Sequence, residues 1–175
     1  MAQVVIINGP AGVGKSTVSR ILANRWDGTI NISGDALRHF APANARDHLG
    51  AGSTYRAGAA LVASYVEIGA RRILFDYVFE RPENIILFRS HLPLNVSVHV
   101  FTLWAPLETV VHREANREGR APMGDAVATT FGAIQKNLKA LGRVIANTAG
   151  PEETAQIILD VLTASISTNA VTENG

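Results

Sequence analysis

"VVIINGPAGVGKST", Val4 to Thr17, is the stretch whose reading decides the fold. An unbroken apolar run suits a strand buried on both faces, and this one empties directly into a turn built on Gly9, Gly12 and Gly14. The eight residues Gly9-Pro10-Ala11-Gly12-Val13-Gly14-Lys15-Ser16 satisfy the spacing G-x-x-x-x-G-K-[ST]. Glycine reaches positive φ without steric cost, so successive backbone N–H groups can turn inward as a nest for an anion. A helix opening at Lys15 adds unpaired amides and the positive end of its dipole. The pattern therefore predicts a polyphosphate cradle: Lys15 at the β- and γ-phosphates, the Ser16 hydroxyl on Mg²⁺, and Thr17 beside the α-phosphate. A dinucleotide site is disfavoured, because the spacing is not G-x-G-x-x-G and no acidic residue ends the second strand. Asp35 comes after that end, behind Gly34.

Outward from the turn, short strand-like apolar runs alternate with longer segments of helical period, the pattern of a parallel sheet covered by helices on both faces. Strands are expected at Gln3–Asn8, Thr29–Ser33, Arg72–Tyr77, Ser97–Trp104 and Arg143–Ala146. Helices are expected at Lys15–Trp26, Ser53–Ala70, Pro82–His91, Pro106–Glu118, Asp125–Leu141 and Pro151–Ser165. Pro82, Pro106 and Pro151 stand where a first helical turn tolerates a missing N–H. Residues 1–165 form one domain in this reading, and 166–175 a flexible polar tail.

The 175 residues suffice for one domain with a substantial core. With 47% hydrophobic and 18% charged residues, the composition is that of a soluble globular chain. No apolar run is long enough to cross a bilayer, and the N-terminus carries no secretory signal, so a cytoplasmic location and no membrane partner are expected. A net charge of +1 argues against nucleic acid as a partner. The absence of cysteine excludes disulfides, thiolate metal sites and cysteine nucleophiles.

On the element "GPAGVGKST", the chain resembles the small P-loop kinases that phosphorylate metabolites, among them shikimate, gluconate and adenylate kinases and chloramphenicol phosphotransferase. The resemblance implies a P-loop NTPase three-layer α/β sandwich with a five-stranded parallel sheet in the order 2-3-1-4-5 and a short lid near residues 117–125. It implies ATP and Mg²⁺ as cofactors and a small-molecule acceptor, with the protein a monomer or homodimer.

Ligands of open α/β sheets bind beyond the carboxyl ends of the strands, and two aspartates lie there. Asp35 follows the second strand in "TINISGDALR", and Asp76 ends the third in "RRILFDYVFER". A carboxylate beside the γ-phosphate takes the proton of an attacking hydroxyl or holds Mg²⁺. The resemblance gives Asp35 the role of base, which leaves Asp76 as the metal partner of Ser16; exchanged roles would look the same in the sequence. Asp35 would also serve as a helix N-cap, and Asp76 as a turn carboxylate paired with Arg72 or Arg81.

Arg113, Arg117 and Arg120 follow at i, i+4 and i+7, on one face of any helix that continues through them. "NREGRAPMGD" breaks helix around Arg120 and resembles the arginine-bearing lid of small kinases. Arg117 and Arg120 are thus candidates for steadying the transferring phosphoryl group; interleaved with Glu114 and Glu118, they also read as a solvated helix face. The loop-forming region from Arg38 to Arg56 is where the resembling kinases cover their acceptor. Arg38 and Arg56 are the candidate acceptor residues there, and Tyr55 a weaker one.

The leading function is transfer of the γ-phosphoryl group of ATP to a hydroxyl of a small metabolite or drug. The alternative is a nucleotide-binding module or ATPase that phosphorylates no acceptor, with a nucleoside monophosphate kinase ranked below both. A regulatory GTPase is disfavoured, since Asp47–Gly50 matches D-x-x-G but no N-K-x-D follows.

Overall fold

The computed structural model describes residues 1–50, 52–117 and 122–172, without the side chains of residue 47 and residues 165–172. Strands β1 (Ala2–Asn8), β2 (Thr29–Ser33), β3 (Arg72–Asp76), β4 (Val96–Trp104) and β5 (Arg143–Ala146) form one sheet in the order β2-β3-β1-β4-β5. Every adjacent pair is parallel.

The apolar run that opens the chain becomes the central strand. Val4, Val5, Ile6 and Ile7 are each fully buried, and because side chains alternate across a strand they feed two separate cores. Val5 and Ile7 pack with Leu22 of α1 (Lys15–Arg25), Val110 of α6 (Leu107–Ala115) and Ile158 of α8 (Pro151–Thr172). Val4 and Ile6 join Val62 of α4 (Ser53–Glu67), Phe88 of α5 (Pro82–Arg89) and Ile134 of α7 (Asp125–Asn137) on the opposite face. Burial of each such side chain contributes about 1.5–3 kcal/mol, which holds the three layers together.

The elements depart from expectation in three places. Two short helices, α2 (Gly34–Phe40) and α3 (Ala43–Leu49), add to the expected elements, α3 wholly and α2 partly within the loop-forming region from Arg38 to Arg56; with seven residues apiece they are too short to display a helical period. Helix α6 stops at Ala115, short of Glu118, because the Asn116 side chain donates to the His112 carbonyl at 2.8 Å and closes the last turn. Helix α8 continues past Ser165 to Thr172, into sequence expected to be a flexible tail.

The register levels the strand ends that matter. Ile7 and Ser33 are both partners of Asp76, so the chain leaves β1, β2 and β3 at the same height. The glycine-rich turn, Asp35 and the segment after Asp76 therefore emerge side by side.

Candidate active site

The turn after β1 takes the left-handed backbone that its glycines were chosen for, with φ of 142° at Gly9, 81° at Gly12 and 100° at Gly14. Two of them are also pressed against neighbours. A Cβ on Gly9 would stand 2.6 Å from the Leu103 carbonyl oxygen, and one on Gly12 would run into the Val110 carbonyl of α6. Gly14 precedes α1, whose first turn holds no acidic residue and no side-chain cap. The first amides of a helix have no intrahelical acceptor, the feature that suits its N-terminus to an anion.

Behind the turn, Asn147 acts as a strut. Its side chain is buried, donates from Nδ2 to the Val13 carbonyl at 2.6 Å and accepts from Thr154 Oγ1 at 2.8 Å. Its own carbonyl accepts from Arg113 Nη1 at 3.0 Å. The loop after β5 thereby fastens the cradle to α6 and α8.

In front lies a cleft of about 550 Å³. The cradle residues Ala11, Gly12, Gly14, Lys15, Ser16 and Thr17 line its floor, while Gly9, Pro10 and Val13 shape the turn beneath without lining it. Lys15 Nζ lies 3.0 Å from the Pro10 carbonyl, folded over the turn it would serve.

Ser16 Oγ donates to Asp76 Oδ1 at 2.9 Å. Neither Arg72 nor Arg81 is the partner of Asp76: Arg72 donates to the Asp27 carbonyl and stacks over Trp26, and Arg81 is exposed. Burial lifts the Asp76 carboxyl above the ordinary carboxylate range, opposed by the Ser16 hydrogen bond, Lys15 and Arg117 and reinforced by Asp35. Ser16 lines the cleft and Asp76, buried behind it, does not; together they are two hard oxygen donors, a set suited to Mg²⁺, which keeps several waters and needs few protein ligands. Among the described residues no group of three or more His, Asp or Glu forms a larger metal site.

Asp35 lies in the first turn of α2 and lines the cleft. Ser33, not Asp35, occupies the N-cap position. Gly34 brings this turn against the residue that follows β3: a Cβ there would fall 2.5 Å from the Tyr77 ring.

The arginines divide differently from the single-face expectation. With α6 ended at Ala115, Arg117 falls outside the helix; it and Arg113 both line the cleft, and Arg117 is near enough to Asp76 to lower its pKa. Arg120 lies outside the described residues. Beyond that segment the Met123 N–H donates to the buried Glu114 carboxylate at 2.9 Å, which ties the returning chain to α6.

At the acceptor end, Arg38 lines the cleft but Arg56 does not. Arg56 is exposed on α4, and its neighbour Tyr55 takes the inward place. The reason is packing: Tyr55 meets Phe79 at 4.9 Å and Tyr77 at 5.5 Å between ring centroids, and its hydroxyl donates to the Val78 carbonyl at 2.8 Å. Burial, with Tyr77 and Glu80 nearby, holds its phenol well above the ordinary value. Tyr77, Val78 and Glu80 also line the cleft and escape sequence reasoning, as do Arg20, Met123 and Thr130. The available signal is position alone: "YVFE" follows the strand end that carries Asp76.

A family model described as an AAA domain matches residues 4–141. The chain belongs to this AAA domain family. No curated protein matches it in sequence. Among solved structures, this AAA domain protein is similar to a sugar kinase from Janibacter sp. HTCC2649, with a TM-score of 0.69 and 19% identity over 93% of this chain and 95% of that one. It is similar to the tunicamycin resistance protein of Deinococcus radiodurans, at 0.69 and 20% over 93% and 96%. A gluconokinase from Sinorhizobium meliloti 1021 matches at 0.67 and 18% over 99% and 98%. The fold is that of the P-loop small-molecule kinases, with the strand order the resemblance implied. Among the described residues no helix is long and apolar enough to cross a membrane.

Proposed function

We propose that this protein transfers the γ-phosphoryl group of ATP to a hydroxyl of a small molecule. The observation that carries the reading is convergence: the P-loop, Asp35 and Arg117 line one cleft, and Ser16 in its lining is hydrogen-bonded to the buried Asp76 behind it. ATP as substrate lies with its phosphates over the main-chain amides of Gly12 to Thr17, and Lys15 swings from the Pro10 carbonyl onto the β- and γ-phosphates. Ser16 and Asp76 would hold Mg²⁺, which neutralises charge between the β- and γ-phosphates when bound.

Asp35, which lines the same cleft, takes the proton of the acceptor hydroxyl as its oxygen attacks. The oxygen–phosphorus bond forms on one side of the phosphoryl group while the bond to the bridging oxygen breaks on the other. ADP leaves, and the proton remains on Asp35 until water removes it. Arg117 faces the equatorial oxygens, where negative charge is spread in the transition state. Arg120 is proposed to assist there from the lid, and Arg38 to contact the acceptor at the lip of the cleft. Arg56 carries no role in this reading.

The test is Asp35→Asn, followed by ADP release and phosphorus NMR over a panel of hydroxylated compounds. Loss of a positioned base costs about 10²–10⁴-fold in rate, so transfer falls by at least that lower figure while nucleotide binding persists. Transfer that survives the substitution removes Asp35 from the mechanism. Nucleotide binding by the wild type with no transfer to any compound makes the protein a nucleotide-binding module instead.

A further inference from the structure

The cleft is not evenly charged. Its cations gather on the phosphate side: Lys15 and Arg20 on α1, and Arg113 and Arg117 at the end of α6. The far wall comes from α4 and the segment between β3 and α5, and among the described lining residues it contributes Tyr55, Tyr77, Val78 and Glu80 but no cation. The two arginines beside that wall in sequence, Arg56 and Arg81, are exposed and stand outside the lining. Among the described residues, only Arg38 reaches the acceptor end with positive charge, from α2 on the opposite lip, where Asp35 accompanies it.

The polar groups of this wall are also partly spent. The Tyr55 hydroxyl donates to the Val78 carbonyl and accepts from Asn84 Nδ2 at 3.2 Å. What the wall offers a ligand is a pair of aromatic rings and the half-buried Glu80 carboxylate, an acceptor-only group when ionised. Glu80 is held in place by its own backbone, whose carbonyl accepts from Asn137 Nδ2 at 3.0 Å. A carboxylated acceptor laid against this wall would face Glu80 with no described cation on the wall itself, while on the opposite lip the charge of Arg38 is offset by Asp35. A hydroxyl or ammonium donor would find a ready partner, and the flat face of a ring would find the tyrosines.

Resting on the transfer reading above, we propose that the acceptor is a ring-bearing alcohol without negative charge, stacked on Tyr77 and donating a hydrogen bond to Glu80. Glu80 is the residue that excludes carboxylated acceptors.

The experiment uses sets of ring alcohols, each in matched neutral, amine and carboxylate forms such as methyl glucoside, glucosamine and glucuronate. Their affinities are measured with Mg²⁺ and a non-hydrolysable ATP analogue, and ADP release with ATP is followed in parallel. The wild type is expected to favour neutral and amine forms over carboxylates by about tenfold or more, the scale of one charge-assisted hydrogen bond. Glu80→Gln should shrink that discrimination, and Glu80→Arg should invert it toward carboxylates. Tightest binding of carboxylates, failure of every set to bind, or an unchanged ranking in both variants would overturn the inference. ADP release driven by carboxylates alone would uphold transfer yet overturn the acceptor class. Tight binding of neutral or amine forms with no ADP release would overturn the transfer reading and, with it, the assignment of an acceptor.

Discussion

Asp76 is 3% exposed, and the Ser16 hydroxyl, Lys15 and Arg117 offset only part of what the burial of its carboxylate costs. The folded state therefore holds this proton more readily than the unfolded chain does. Its contribution to stability is full below the unfolded carboxylate range, about pH 4, and is lost as pH rises through the raised folded value. Asn at this position still accepts from Ser16 and carries no charge to desolvate. In the absence of nucleotide, Asp76→Asn should be more stable than the wild type near neutral pH, with the gap closing toward about pH 4. Urea denaturation across that range measures it. A variant less stable than the wild type at neutral pH would mean that Lys15 and Arg117 depend on the carboxylate more than burial penalises it. Such a residue could be picked out from its position at a strand end, and the resemblance put it with Ser16, but their direct hydrogen bond could not be read from the sequence. Ser16 and Asp76 meet only because β3 pairs with β1, a neighbour relation that the spacing of residues along the chain does not contain.

Elements differ in how plainly they announce themselves. The strand–turn–helix from Ala2 to Arg25 is legible because every step of it is local: apolar strand, glycines at positive φ, helix start. Helices α2 and α3 are not, since seven residues make barely two turns and their burial is settled by contacts elsewhere. The exchange of Arg56 for Tyr55 in the cleft has the same origin. Adjacent residues on a helix point about 100° apart, and the aromatic cluster of Phe75, Tyr77, Phe79 and Phe88 decides which of the two turns inward. The loop after β5 looks unremarkable in sequence, yet Asn147 joins the turn, α6 and α8 through three hydrogen bonds. Removing its side chain leaves the Val13 carbonyl short of a partner, at about 1–3 kcal/mol for a buried group left unsatisfied, while the Thr154 hydroxyl turns to the Gly150 carbonyl. Asn147→Ala should lose stability of that order in chemical denaturation and weaken nucleotide binding as well. Asn147→Asp should fare no better, because it sets an acceptor against the Val13 carbonyl. Wild-type stability in both variants would show that the strut carries no load.

The whole molecule is arranged so that one strand serves two purposes. Val4 to Ile7 knit the two cores on either face of the sheet, and the same strand delivers the chain into the phosphate turn at its carboxyl end. Strand order then places the aspartates: β3 beside β1 sets the buried Asp76 behind Ser16, and β2 beside β3 brings Asp35 to the cleft wall. On the far side of β1, β4 and β5 carry the elements that supply Arg113, Arg117 and the Asn147 strut. Stability and function thus share a scaffold but rest on different residues, since Lys15 and Asp35 contribute nothing to either core. A substitution at Lys15 should accordingly leave the fold intact while emptying the site of its affinity. Calorimetric titration of magnesium with a non-hydrolysable ATP analogue into the wild type and Lys15→Ala asks this of the molecule directly. The account predicts saturable binding by the wild type and its loss in a variant that remains folded. Equal binding by the two, or no binding by either, would contradict it.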